Sequence, residues 1–230
     1  IALDGQPPEA MHDLVEKLYV RMTDAQFQLG KPSIAAVGGT ARGGGMTLAI
    51  SCDLVVADRS ASFGYPEIDV GVLPAIHFAH LPRIVGKHRA FELLFAARAF
   101  DAAEAHRLGL VNRVVDDGQA LTEALALAAQ LAAKPRRAMR AGRAAFLREF
   151  HPDYRHQVAA AVENFSSVAA TEEARRAIGG FVASVRNVEF VHSRFLGLSP
   201  RFEFKWQPTS EQLIEQHRGR FRLIAKRTQN

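Results

Sequence analysis

A chain of 230 residues can hold one generous domain with appendages, and at that size about 70% of the unfolded surface can be buried without disulfide or metal staples. Apolar residues at 48% and charged residues at 23% exclude a disordered chain, and the single cysteine, Cys52, excludes a disulfide framework within the chain and every multi-cysteine metal centre. The net charge of +5 is unevenly placed: residues 191–230 hold eight basic and three acidic side chains, and the rest holds 21 of each, so the basicity belongs to a tail.

No apolar run reaches the ~18 residues that a membrane span needs. The chain opens on Ile1-Ala2-Leu3-Asp4, with no Met and no basic leader. We expect a cytoplasmic protein whose start is incomplete.

Residues 8–29 read as a helix, with Met11, Leu14, Val15, Leu18, Tyr19 and Met22 at helical spacing. Lys31-Pro32 breaks it. Ser33–Val37 has the length of a buried strand. Gly38-Gly39 closes it, and Ala41-Arg42-Gly43-Gly44-Gly45 leads into a short buried helix from Met46. Leu54–Ala57 is a second strand, Ser60–Val72 is turn-rich, and helices follow at about 75–84, 88–97 and 101–108. Asp101-Ala102-Ala103-Glu104 has the form of a capping box, with Gly109 at the far end. Val111–Val115 is a strand. Ala-rich helices then occupy about 120–133, 135–149, 153–169 and 171–186, the last capped by Thr171. The tail interleaves Phe195, Phe202, Phe204, Trp206 and Phe221 with Arg and Lys. It reads as a docking arm, a nucleic-acid-binding segment or a disordered end.

The glycine triplet is the strongest local signal. Three glycines between a strand and a helix allow an approach to bare backbone, at the helix end whose free N–H groups favour an anion. A phosphate or a thioester oxyanion would suit, and a tight turn is the bland alternative. No Gly-Lys-Ser/Thr follows, so a phosphate loop is excluded, and the spacing is not that of a dinucleotide fold. His77 and His80 stand three apart on a helix without further ligands, so no metal site is expected; core packing, or proton transfer by one of them, is what remains. Asp69 is a candidate replacement acid. Cys52 reads as a buried structural residue. Arg42 could meet a phosphate or pair with a carboxylate.

The stretch Lys31–Asp53 resembles the signature of the crotonase (enoyl-CoA hydratase/isomerase) superfamily. The resemblance continues through Ala61–Ile68 with Gly71, through Leu81–Lys87, and through Ala103–Val115. It implies an α/β fold, a spiral of β-β-α units followed by a helical C-terminal region. The expected layout is a core over 1–115 lacking the family's leading strands, an oligomerising helical region over 116–190, and the tail over 191–230. It also implies an acyl-CoA substrate, coenzyme A entering as part of that substrate with no other cofactor, and a homotrimer or hexamer.

Carried onto this chain, the family pattern makes Gly44 an oxyanion donor, with a second donor falling at or before Ile1. Glu67 matches the second of the two hydratase glutamates. Thr47 stands in place of the first, and a hydroxyl cannot serve as a base near neutral pH. One carboxylate still suffices to move a proton between two carbons, so isomerisation is expected over hydration. Gly43, Gly45, Thr47 and Ala75 are the expected substrate contacts. Ala75–His80 replaces a glycine-rich helix start and would narrow the space beside the acyl group. Two rival readings stand: a catalytically impaired scaffold that binds a partner, RNA through the tail being one, and a thioester hydrolase or decarboxylase.

Overall fold

The computed structural model describes residues 8–184 and 193–195. Contacts divide the chain into one unit containing Leu3–Gly197 and another containing Leu198–Asn230. The first is described here, and most of the basic aromatic tail lies outside the described residues.

The elements in order are α1 (Pro8–Gln28), β1 (Ile34–Val37), β2 (Thr40–Arg42), α2 (Gly44–Ser51), β3 (Leu54–Asp58) and β4 (Ser62–Gly64). A 3₁₀ helix (Pro66–Val70) follows, then α3 (Ala75–Val85), α4 (Lys87–Phe95), β5 (Phe100–Asp101), α5 (Ala102–Arg107) and β6 (Arg113–Val115). Helices α6 (Ala120–Ala132), α7 (Arg136–Phe150), α8 (Tyr154–Ala169) and α9 (Glu172–Ser184) precede β7 (Ser193–Phe195).

Two sheets organise them. One runs β6-β3-β1-β7 and the other β2-β4-β5. β1 and β3 pair in parallel with Ile34 opposite Leu54, and β2 and β4 pair in parallel with Thr40 opposite Ser62. The first two passes of the chain therefore each lay one strand in the first sheet and the next in the second, then return through helix; in the third, β5 joins the second sheet antiparallel before α5 and β6 joins the first. This is the spiral of β-β-α units that the resemblance implied.

The alternation of strand side chains builds two layers. Ala35, Val37, Val55 and Ala57 face the main core with Met46, Ala49, Leu81 and Leu93. Ile34, Ala36 and Val56 face α6 at Ala120, Ala124 and Leu127. β1 is buried along its whole length, because it is paired on both sides and both its faces meet apolar layers. Polar groups close the corners. Asp58, ending β3, accepts the N–H groups of Gly118 and Ala120 at 2.8 and 2.7 Å and so caps α6. Buried Arg143 on α7 donates to Asp53 at 2.8 Å and to the Gln26 carbonyl at 2.8 Å, tying α7 to α1 and to the start of β3.

Several expectations need refinement. The turn-rich stretch contains β4 and the 3₁₀ helix, and β2 and β5 were not foreseen, since strands of two or three residues carry no readable periodicity. Asp101 caps α5 by accepting the Glu104 N–H at 2.7 Å, but the returning half of the box is not made. The Glu104 carboxylate pairs with Arg98 at 2.6 Å instead. Thr171 caps α9 through the Ala174 N–H. Within the segment read as tail, Ser193–Phe195 pairs antiparallel with β1, because backbone pairing is indifferent to tail composition.

Helices α8 and α9 pack on the chain's own core: Val158 and Ala161 against Ala75 and Ile76, Ala169 and Ala174 against Val72. Gly71 makes this approach possible. It sits at φ +72°, and a Cβ there would lie 3.2 Å from the Ala174 Cα. Among the described residues no helix is long and apolar enough to cross a membrane.

Candidate active site

The site forms where the start of α2 meets the 3₁₀ helix. Gly43 precedes α2 at φ 51°, ψ −118°, a conformation that glycine adopts and side chains resist. Its carbonyl accepts the Thr47 N–H at 3.0 Å, and its own N–H goes to the Gly64 carbonyl at 3.3 Å. The chain thereby turns sharply and presents the first amides of α2, which have no acceptor within the helix. Gly44 is exposed, and a Cβ added to it would meet nothing within 4 Å among the described residues. Open space therefore borders bare backbone at a helix N-terminus. Gly45 is half-buried behind it, with Ala41 at 3.9 Å from a would-be Cβ.

Glu67 flanks this opening. It follows Pro66, which starts the 3₁₀ helix with its missing N–H at a position that needs none. Its Oε1 lies 3.7 Å from where a Gly43 Cβ would be. The side chain is 15% exposed, and Oε2 is buried with no hydrogen-bond partner among the described residues. Its negative charge, added to the larger effect of burial, pushes the phenols of Tyr65 and Tyr19 well above their usual range.

His77 was offered as one of two histidines that could transfer a proton, and the structure separates it from the other. Its ring is fully buried on α3, with Nε2 3.6 Å from Glu67 Oε1 and 3.2 Å from Thr47 Oγ1. Tyr65 packs edge-on against it with centroids 4.5 Å apart. The Thr47 hydroxyl also lies 3.3 Å from the Gly43 carbonyl, which can only accept. With the hydroxyl hydrogen assigned to that carbonyl, Oγ1 accepts from Nε2–H, and a carboxylate on the same side asks for the same tautomer. His80 turns elsewhere, toward the His151 ring at 5.2 Å.

The other predicted residues distribute plainly. Thr47 is buried with its hydroxyl committed to Gly43 and His77. Ala75 is buried beside Val158 and Ala161, at one wall of a cleft of about 200 Å³ that also touches Phe78 and Gln157. Asp69 is exposed. Arg42 donates to the Ser62 hydroxyl. Burial pushes the Cys52 thiol up to about 12, which makes it inert near neutrality.

A bare helix N-terminus beside a sheltered carboxylate, on a spiral of β-β-α units, is matched by a family model described as enoyl-CoA hydratase/isomerase over residues 5–190. The chain belongs to this family. It is 40% identical over 163 residues to a probable enoyl-CoA hydratase of Rhizobium meliloti, a match covering 70% of this chain and 63% of that protein. It is 35% identical over 162 residues to a crotonyl-CoA hydratase of Syntrophomonas wolfei, covering 70% and 62%. The enoyl-CoA hydratase/isomerase structure from Pseudoalteromonas atlantica superposes with a TM-score of 0.67 at 30% identity, covering 74% of this chain and 69% of that one. The crotonase-family chain thus spans somewhat under two thirds of the length of the curated relatives it matches.

Proposed function

We propose that the chain processes acyl-CoA thioesters through an enolate, and that it shifts a double bond in preference to adding water. The observation that carries this reading is the sheltered Glu67 carboxylate, whose Oε1 lies against the Gly43 turn that leads into the open backbone at Gly44.

The Gly44 N–H donates to the thioester oxygen of a 3-enoyl-CoA. Glu67 takes a proton from C2, the C–H electrons pass to that oxygen, and the same carboxyl returns the proton to C4 as the enolate collapses. The product is the 2-enoyl-CoA, and no atom is gained or lost. A donor aimed at the developing oxyanion contributes about 2.7–4 kcal/mol to such a transition state. Isomerisation is preferred because Thr47 occupies the place of the first hydratase glutamate and its hydroxyl is committed inward.

The names of the relatives favour a second reading, hydration with Glu67 as the lone carboxylate. One assay separates the two: 3-enoyl-CoA and 2-enoyl-CoA are supplied in turn to the purified chain and to Glu67→Gln. Isomerisation lost in the variant supports the first reading. Fast hydration that survives in the variant removes Glu67 from both.

We also take the assembly to be a trimer or hexamer. Phe91 at 61% and Phe146 at 65% exposure, stacked on Phe95 and Phe150, leave aromatic surface that a neighbouring subunit could cover. Light scattering of the purified chain tests it, and a monomer at micromolar concentration rejects it.

A further inference from the structure

The enolate reading leaves one buried group without a task. His77 has no exposed surface, so it cannot touch a substrate, yet its Nε2 faces the one carboxylate the reaction needs. Three observations converge on it. Thr47 spends its hydrogen on the Gly43 carbonyl and so asks His77 for a donor at Nε2. The Tyr65 ring, itself fully buried, holds the imidazole edge-on. Glu67 Oε1, the oxygen beside the Gly43 turn, is also the one that faces His77.

We propose that His77 is the positioning residue of the proton-carrying carboxylate. It stands against Oε1, the oxygen on the Gly43 side, with its tautomer held by Thr47, and thereby fixes how the carboxylate is turned toward the glycine turn. The 3.6 Å separation is a polar contact, longer than a hydrogen bond. This inference rests on the enolate reading. It adds that Thr47 and His77 together form one support for Glu67.

The test compares Glu67→Gln, His77→Met, His77→Gln and Thr47→Val with the unaltered chain, by steady-state kinetics on 3-enoyl-CoA and by exchange of the C2 proton in D₂O. Met matches the bulk of His and lacks a donor; Gln supplies an amide N–H at similar reach. We expect His77→Met to lower kcat about tenfold or more with KM changed less than about threefold, since the general acid–base effect it weakens is worth roughly 10²–10⁴. His77→Gln restores kcat to within about threefold of the unaltered chain, and C2 exchange follows the same order.

Equal losses in the Met and Gln variants mean packing alone and overturn the proposal, as does unchanged kcat in His77→Met. If neither His77 variant folds, Thr47→Val decides: a fall in kcat at constant KM supports the proposal, and unchanged kcat overturns it. Glu67→Gln keeps the two levels apart. Loss of activity there with His77→Met intact removes only the positioning role. Full activity in Glu67→Gln, or a wild-type chain that neither isomerises nor exchanges, removes the enolate reading and this inference with it.

Discussion

Helix α3 carries two buried histidines one turn apart, and they have opposite surroundings. His77 meets a carboxylate, a hydroxyl and the edge of a phenol ring. His80 meets another histidine, His151, with His77 and Arg83 near. Burial above all, then His151, His77 and Arg83, push His80 down to about 3. Burial and Arg83 push His151 down to about 4. A shared residue type, helix and depth thus yield a support for acid–base chemistry in one case and a neutral core residue in the other. Burial says that an imidazole is out of water; only the partner says what it is for.

The comparison can be broken at several points. The largest effect is expected on the His77 side: Glu67→Gln lowers turnover of 3-enoyl-CoA by roughly 10²–10⁴, the range of a general acid–base contribution, while the melting temperature stays near its wild-type value. A turnover within twofold of wild type would show that the partner of His77 is not functional.

The next effect belongs to His80 and His151. An unfolded histidine titrates near 6.5, so below that pH the unfolded chain binds protons that the folded one refuses. Stability is therefore flat with respect to these groups above about pH 6.5, and falls as pH drops toward 4 and then 3. The slope reaches about 1.4 kcal/mol per pH unit for each fully linked histidine. Urea unfolding at pH 7, 6, 5 and 4.5 measures it. His80→Leu should flatten the curve, and an unaltered slope would mean that His80 is not the group responsible.

A smaller effect should separate the two sides. Gly71→Ala strains a left-handed position by about 1–2 kcal/mol and pushes a Cβ toward the Ala174 backbone, next to the 3₁₀ helix that carries Glu67. We expect a lower melting temperature and reduced kcat, with the acid-dependent slope unchanged. A shift in that slope would show that the two histidine environments are coupled. The smallest effect is a control far from both: Asp101→Ala removes the cap of α5 and costs about 1 kcal/mol, with kcat untouched.

Much of this protein could be read along the chain. The helix of 21 residues at the start, the buried strands at Ile34 and Leu54 and the four C-terminal helices all announced themselves by periodicity or apolar runs. Gly44 and Glu67 stood in stretches with a recognisable order of residues. The short strands β2, β4 and β5 did not, because two or three residues cannot show a period, and their pairing partners are remote in sequence. Buried Arg143 gave no sign either; its partners Asp53 and Gln26 lie 90 and 117 residues away.

Composition and local period determined the alternation of strands and helices and a bare, glycine-rich helix start that suits an anion. Each of those features arises within a few residues, through sterics, spacing or the dipole of one helix. The spiral of β-β-α units and the carboxylate near that start were implied by the resemblance to the crotonase superfamily. Which histidine faces that carboxylate, which carboxylate oxygen is left without a partner, and that Thr47 turns inward were decided only when α2, the 3₁₀ helix and α3 packed together. Those facts are distances between side chains far apart in sequence. No local pattern encodes such distances, because they come into being with the close packing of the core.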